Sequence, residues 1–532
     1  MNQNSEYIVS GPTEKFHIWY ESLGTYLFDC LQKRNRNEII AINAFTKDTL
    51  TCGDLLEKSI KLSIALKTLS VQKGDVIALI TENNIQNYII TCASLFCGAK
   101  LNLLNFAYTL DELSDVFKLS KPKIIFCSKT ALQNALSAKK IFSFIQKIVL
   151  IENESINQIQ NLTELINDVN RIDNFKVVKV SIKDTAILCL SSGTTGLPKC
   201  VEISHENFIP LINLAEDNRY FNVTSKDTAV LILPFFHIYG LDIHLLAITN
   251  SLKVISMDAF KPDVFLQANE EYKATKMYIA PPLLQFLIKS PLVAKYNLTS
   301  VKDIVIGAAA SKRDIYEEAS HKFQHCVIRQ IYGSTETRAM TIQHYLDKFT
   351  TAGKLVCNST AKIINVDTNT ILGPYEKGEI CIKSLSIMKG YLNNPSATKN
   401  AIDSDGFYHT GDIGYYDKDK NFYVVDRIKE LIKYKGFQVS PVEVENLLLK
   451  HSGVKDCALV GLPDDRCGEL PLAFVVRQAT SDVTEDELIK FVSEKISIQK
   501  QLHGGVRFID KIPKLPNGKI LRRKLVQLLS ES

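Results

Sequence analysis

The 532-residue chain is predicted to be α/β, with a large N-terminal domain of parallel-rich sheets covered by helices, a β-rich portion within it, and a small α+β C-terminal domain. Three observations predict this. Between 225 and 336 short apolar runs alternate with amphipathic segments, and strands apolar at consecutive positions imply a parallel sheet covered on both faces. From about 355 to 425 short runs such as "GEICIKS" and "NFYVVD" are split by Gly, Asn and Asp turns, which reads as β-rich. After Asp426-Arg427 comes a compact pattern of about 105 residues, so the domains are placed at 1–426 and 427–532.

The elements follow in order. Residues 52–130 read as a helix around Leu55 to Leu69, a strand "DVIALIT", a helix from Tyr88 to Gly98 and a strand "PKIIFCS". "TAILCL" is an apolar strand. "TAVLILPFF" is a strand and Leu241 to Thr249 a helix. Next come the strand "SLKVISM", helix "PDVFLQANEEY", strand "ATKMYIA", helix "PLLQFLIK", strand "VKDIVIGAA", helix "DIYEEASHKF" and strand "CVIRQIY". The last domain reads as a helix "PVEVENLLLKH", strands "DCALVGL" and "LAFVVRQ", a helix "TEDELIKFVSEKI" and a basic, loop-rich tail.

Composition narrows the function classes. Hydrophobic residues make up 45% and charged residues 23%, a globular balance. The formal charge of +5 comes with no dense Lys/Arg tract, so no nucleic-acid partner is expected. No apolar run reaches about 18 residues, so no membrane span is expected. Twelve cysteines without a CxxC pair read as structural thiols in a reducing compartment. The start lacks a basic then apolar leader and the end, LLSES, is not an SKL tripeptide, so the expected location is cytoplasmic. The sequence sets no oligomeric state.

Five short stretches carry the chemistry. "SSGTTGLPK" (Ser191, Ser192, Gly193, Thr194, Thr195, Gly196 through Lys199) follows the strand "TAILCL", at the strand end where open α/β sheets bind ligands. Glycines let backbone approach an anion, hydroxyls and N–H groups satisfy phosphate oxygens, and Lys199 adds a charge. It is not a Walker A loop, because GxxxxGK[ST] is absent. "YGSTE" offers Tyr332 to stack on a base, Gly333, Thr335 to donate to a phosphate, and Glu336 to hold Mg²⁺. "YHTGD" offers Asp412 to a ribose diol, "VVDRIKELIKYKG" places Arg427 at the domain boundary, and "PKLPNGKILRRKL" puts Lys519 in a glycine-flexed loop. Each has a plain structural alternative: a turn for YGSTE or HTGD, an i,i+3 ion pair of Arg427 with Glu430, a solvated lysine for Lys519.

Taken in this order, the five resemble the adenylate-forming superfamily of acyl-CoA synthetases, beetle luciferases and peptide-synthetase adenylation domains. "LIKYKGFQVSPVEVE" and "GLPDDRCGELPLAFVV" are similar to the branch holding insect luciferases and 4-coumarate–CoA ligases. The resemblance implies ATP and Mg²⁺ as cofactors and a small-molecule carboxylic acid as substrate. It implies that the Ser191–Lys199 loop grips pyrophosphate, Glu336 ligates Mg²⁺ and Thr335 contacts the α-phosphate. Lys519 would bridge phosphate and carboxylate in the transition state, and Asp412 and Arg427 would fix the ribose. Tyr332 with Gly307, Ala308 and Ala309 would pack the adenine. His237 in "PFFHIYG" resembles the acyl-pocket gate, with a satisfied core histidine as its alternative. Phe236, Tyr239, Arg338 and Ala339 are placed at the acyl pocket. A hinge near Asp426 to Lys429 would let the mobile small domain exchange Lys519 for a second face carrying Lys433.

Three departures stand out. "GAAASK" has Ala310 where the family's usual proline stands, and "PKC" puts Cys200 after Lys199. In "TETRAM", Ala339 replaces the serine of beetle luciferases and Arg338 adds a charge near the acyl pocket, against a beetle-type luciferin. The expected activity is therefore an acyl-CoA ligase using CoA. The alternative is a non-beetle, fungus-gnat-like luciferase using O₂, and a more remote one is a non-catalytic ligand-binding scaffold.

Overall fold

The computed structural model describes residues 5–154, 156, 159–191, 199–308, 313–344, 351–435, 437–464, 466–515 and 518–530. The chain packs as two compact units. One comprises Ser10–Thr360 and Ile382–Tyr408; the other Ala361–Cys381 and His409–Ser532, with residues up to Val9.

The first unit carries two sheets. In the nine-stranded sheet the strands Val327–Ser334, Asp303–Ile306, Lys276–Ile279, Thr228–Leu231, Lys253–Ser256 and Ile39–Asn43 run parallel side by side. Antiparallel strands close both edges: Arg338–Ile342 and Lys354–Leu355 at one, Thr49–Thr51 at the other. Its central strands are buried along their length, which is why the sequence shows them as unbroken apolar runs. Helices Pro262–Glu271, Pro281–Lys289 and Arg313–Lys322 alternate with them, and Phe265, Leu284, Leu287 and Tyr316 bury against Met277, Ile304 and Ile306. Each strand–helix–strand step follows the expected segment order, with ends shifted in either direction by up to five residues.

The seven-stranded sheet runs Gly390–Tyr391, Lys199–Ser204, Thr185–Ser191, Lys100–Leu104, Val76–Ile80, Ile124–Cys127, Lys147–Leu150. The last five are parallel, and Lys199–Ser204 returns antiparallel to Thr185–Ser191 with Ser191 paired to Lys199. Residues 192–198 lie in sequence between these two paired strands.

The second unit is built from two further sheets. One contains Thr360–Ile364, Gly378–Lys383, Tyr408–Tyr416 and Phe422–Arg427 in that order. The other sets Val454–Asp464 against Gly468–Arg477, flanked by Ile432–Tyr434, Phe437–Val439 and Val506–Phe508. Alternation along Val454–Asp464 fills two cores at once. Cys457 and Leu459 face helices Pro441–Leu448 and Glu485–Ser493, while Ala458 and Val460 face Leu525 and Ile512. Leu525 belongs to a helix, Arg522–Ser530, which corrects the expectation of a loop-rich tail. The helix is anchored by Arg522, which bonds Glu430 at 3.1 Å, Glu445, and the Leu459 carbonyl at 3.0 Å.

The fold class is α/β with the mixed organisation expected. Among the described residues no helix is long and apolar enough to cross a membrane.

Candidate nucleotide and acyl site

Within the first unit two of the five stretches, SSGTTGLPK and YGSTE, and the segment at Gly307 lie at the C-terminal ends of parallel strands, the side of such sheets that binds ligands. Ser191 ends Thr185–Ser191 and is buried, and Lys199 opens the returning strand. Ser192, Gly193, Thr194, Thr195, Gly196 and Ala309 lie outside the described residues.

Residues Gly307 and Ala308 follow Asp303–Ile306, and Tyr332 to Glu336 end and follow the next strand, Val327–Ser334. At Gly307 a Cβ would stand 2.8 Å from Ile331 and 2.9 Å from the Tyr239 ring, so only glycine lets that ring pass. Tyr239 crosses there to donate its hydroxyl to the Val305 carbonyl at 3.0 Å. Ala308 is exposed and left-handed at φ 70°. Tyr332 is half-buried opposite Thr341, and the pairing shifts between Tyr332 and Gly333. Gly333 lies where a Cβ would meet the Arg338 carbonyl at 1.9 Å. A tight turn through Thr335 follows, held by the Ser334 amide donating to Thr337 Oγ1 at 3.1 Å.

This turn buries Glu336, which is 8% exposed. The Tyr391 hydroxyl donates to Glu336 Oε1 at 3.0 Å, and the Lys199 ammonium sits 4.7 Å from the centre of the Tyr391 ring. Burial, with the Glu336 carboxylate second, pushes the Tyr391 phenol far up, so it stays a donor. One tyrosine on an edge strand thus ties the lysine of one sheet to the carboxylate beside the other. Sequence reasoning missed Tyr391. The available signal was the "KGYLN" stretch, where Gly390 at φ 157° turns the chain into its two-residue strand beside Val201 and Glu202.

His237 caps helix Ile238–Thr249, accepting from the Tyr239 amide at 3.3 Å through Nδ1. Burial pushes its imidazolium down, so it is neutral at physiological pH. Phe236, Tyr239 and Ala339 are half-buried. Arg338 is not the free charge the sequence suggested. It is 4% exposed and bonds both oxygens of Asp242, Nε at 3.1 Å, while Nη1 donates to the Asn207 carbonyl at 2.8 Å. Its guanidinium also lies 4.0 Å from the Phe208 ring centre. The reason is local: a buried guanidinium needs a counter-charge, and Asp242 is the one acid in an otherwise apolar helix.

In the second unit Asp412 and Arg427 are cross-strand partners, Nε to Oδ1 at 2.9 Å. Asp412 is buried and the Arg427 side chain 39% exposed. Glu430, the alternative partner of Arg427, bonds Arg522. Lys433 is exposed on strand Ile432–Tyr434, its amide donating to Glu469 at 2.8 Å. Lys519 follows Gly518, left-handed at φ 86°, and its carbonyl accepts from the Leu515 amide at 2.8 Å. Asp426 is held by Ser440, which also caps the next helix.

Comparison with known proteins matches residues 30–392 to the AMP-binding enzyme family and 443–519 to the AMP-binding enzyme C-terminal domain. The chain is similar to a luciferin 4-monooxygenase of Nipponoluciola cruciata, 38% identical over 99% of this chain and 98% of the relative. It is also similar to 4-coumarate–CoA ligase 1 of Petroselinum crispum, 34% identical over 94% and 93%. Among solved structures it resembles the luciferase-like enzyme from the nonluminescent mealworm Zophobas morio, with a TM-score of 0.74, 27% identity, 80% of this chain covered and 100% of the other. The motifs, the two domain matches and relatives that span nearly the whole chain agree: the protein belongs to the AMP-binding enzyme family, the adenylate-forming superfamily, in the branch of luciferases and 4-coumarate–CoA ligases.

Proposed function

We propose that the protein activates a carboxylic acid with ATP to an acyl-adenylate and passes the acyl group to CoA, as a fatty or aromatic acyl-CoA ligase. The observation that carries this reading is the Lys199–Tyr391–Glu336 arrangement, a cation and a carboxylate held by one phenol beside the polar loop. A carboxylate and a triphosphate repel, so the chain must supply positioning and positive charge. Ser191 and Lys199, with the loop between them, hold the leaving pyrophosphate. Glu336 is suited to Mg²⁺, because a buried carboxylate oxygen is the donor a hard cation takes. When bound, that ion offsets the phosphate charge.

Thr335 faces the α-phosphate, Tyr332 and the Gly307–Ala309 stretch pack the adenine, and Asp412 and Arg427 hold the ribose hydroxyls. Lys519 stabilises the charge that develops as the carboxylate oxygen attacks phosphorus. A neutral His237 suits the mouth of an apolar acyl pocket lined by Phe236, Tyr239 and Ala339. Residues 427–532 act as the mobile domain, with Lys433 serving the second half-reaction.

The second reading, a non-beetle luciferase that adenylates a luciferin and oxygenates it with O₂, is favoured by the 38% identity to a luciferin 4-monooxygenase. The resemblance to a luciferase-like enzyme of a nonluminescent animal favours the ligase. Mass spectrometry of products from ATP, Mg²⁺, CoA and a panel of fatty and aromatic acids separates them. A CoA thioester formed at turnover rates supports the ligase. Accumulating adenylate without thioester, with light in air, supports the luciferase. Neither product with any acid would leave the ligand-binding scaffold.

A further inference from the structure

Two groups of metal-ligating side chains lie among the described residues. In one, Glu14, Asp217 and Cys357 converge, but a cation is already there. The Arg219 guanidinium bonds Glu14 at 2.6 Å and Asp217, and reaches Cys357 Sγ at 3.5 Å. That group carries no vacancy for an ion.

The other is built differently. Glu379 and Cys381 stand two residues apart on strand Gly378–Lys383, hence on one face. His409 lies on the adjoining strand Tyr408–Tyr416. His409 Nδ1 is 2.9 Å from Glu379 Oε2 and 3.5 Å from Cys381 Sγ, and all three ligand atoms lie within 4.8 Å of one another. The backbone around them is fixed by other bonds. The Gly411 amide donates to Glu379 Oε1 at 2.9 Å, and Thr410 Oγ1 donates to the Ile380 carbonyl at 2.7 Å. Cys381 is fully buried, whereas the His409 and Glu379 side chains are 26% and 13% exposed, which leaves an approach from solvent.

We infer that Glu379, Cys381 and His409 form a three-ligand site for a borderline divalent transition ion, zinc above all, with the fourth position left to water. A tetrahedral zinc with ordinary bond lengths holds S, N and O ligand atoms about 3.3–3.6 Å apart. Opening the Glu379–His409 contact by a few tenths of an ångström, with the Glu379 carboxylate and Cys381 Sγ, now within 4.8 Å, settling at tetrahedral spacing, admits the ion. Thiolate, imidazole and one carboxylate select zinc or cobalt over Mg²⁺, which demands oxygen ligands in an octahedron. Binding breaks the Cys381 S–H bond, forms a metal–sulfur bond and releases one proton to solvent, while the imidazole proton moves to Nε2 so that Nδ1 can donate its pair. One dication, one thiolate and one carboxylate sum to zero, so the half-buried site closes without net charge. An open fourth position makes the ion exchangeable, unlike a four-ligand structural zinc. His409 precedes Asp412 by three residues on the same strand, so occupancy would also stiffen the segment that presents Asp412. That consequence alone rests on the proposed role of Asp412.

The test uses the full-length chain, stripped with a chelator, desalted and titrated with Co²⁺ in the absence of nucleotide. The expected result is one equivalent bound with a thiolate-to-cobalt charge-transfer band, displaced by Zn²⁺ and resistant to a large excess of Mg²⁺. Cys381→Ser should abolish the band. Glu379→Gln, which keeps an oxygen for the Gly411 amide, and His409→Gln should each weaken cobalt binding by about tenfold or more. Zn²⁺ should raise the thermal midpoint of the wild type and not that of Cys381→Ser. A band that is absent from the wild type, survives in Cys381→Ser, or yields to Mg²⁺ overturns the inference.

Discussion

Two arginine–aspartate pairs, one in each compact unit, each join a guanidinium to a buried aspartate and are exposed differently. Arg338–Asp242 is buried at both ends, at 3% and 9% side-chain exposure. In Arg427–Asp412 the arginine is 39% exposed and the aspartate 5%. A pair removed from water at both ends is committed to the fold, because either partner alone would be a buried, uncompensated charge. A pair whose arginine reaches solvent is partly compensated by water and contributes less to stability than one buried at both ends. An arginine in a motif-bearing stretch therefore says little about function until its counter-ion is located.

The largest expected effect breaks the buried pair. Arg338→Met should cost about 3–5 kcal/mol of stability in urea unfolding, and Arg338→Met with Asp242→Leu should recover most of it, since no charge is then left alone. If the double variant is no better than the single, the pair is not what sets the cost.

Next is the Tyr391 link. Tyr391→Phe keeps the ring over Lys199 but removes the donor to Glu336, a charge-assisted bond of about 1.5–3 kcal/mol. The expected result is at least a tenfold rise in the Mg²⁺ concentration for half-maximal activity with a smaller change in ATP KM; Tyr391→Leu should raise both. Equal Mg²⁺ dependence in Tyr391→Phe and the wild type would mean that the phenol only packs.

Breaking the half-exposed pair should act less on stability and more on nucleotide binding than breaking the buried one. Arg427→Met leaves the buried Asp412 carboxylate without this arginine, so it should cost some stability, though less than Arg338→Met because solvent reaches the arginine end, and it should raise ATP KM roughly tenfold. A stability loss as large as that of Arg338→Met with unchanged KM would erase the contrast between the pairs.

A further effect is pH-dependent. Burial lowers His205 to about 4 and His244 to about 3, and lowers His237 as well. The unfolded chain takes up these protons near pH 6.5 and the folded chain does not. Stability is therefore full above that pH and declines as pH falls toward 4, at up to about 1.4 kcal/mol per pH unit for each histidine. His244→Gln should remove one share of that slope in unfolding midpoints measured across pH 4 to 7.

Much of the first unit was legible because its strands are buried on both faces and its helices on one, which writes two distinct periods into the sequence. The strand ends drew attention to Ser191–Lys199 and Tyr332–Glu336, while Gly307 and His237 were marked through the resemblance to the adenylate-forming superfamily. What escaped shares a different physics. Tyr391 and Arg338 take their meaning from partners 55 and 96 residues away, across an antiparallel edge and a buried helix. The lone acid in "IYGLDIHLLAIT" was the available hint for Arg338. Helix Arg522–Ser530 was hidden by its shortness and its charged first turn of two arginines and a lysine; among its described residues only Leu525 is fully buried, with Leu529 packed beside the same core.

The central claim is that this chain adenylates an acid, with Lys519 stabilising the transition state. ATP–pyrophosphate exchange over the acid panel, without CoA, measures that step alone. Exchange should require both an acid and Mg²⁺ and should fall by about 10²–10³ in Lys519→Ala, while the variant still thiolates or oxidises a supplied adenylate. Exchange absent with every acid, or undiminished in Lys519→Ala, would contradict the account.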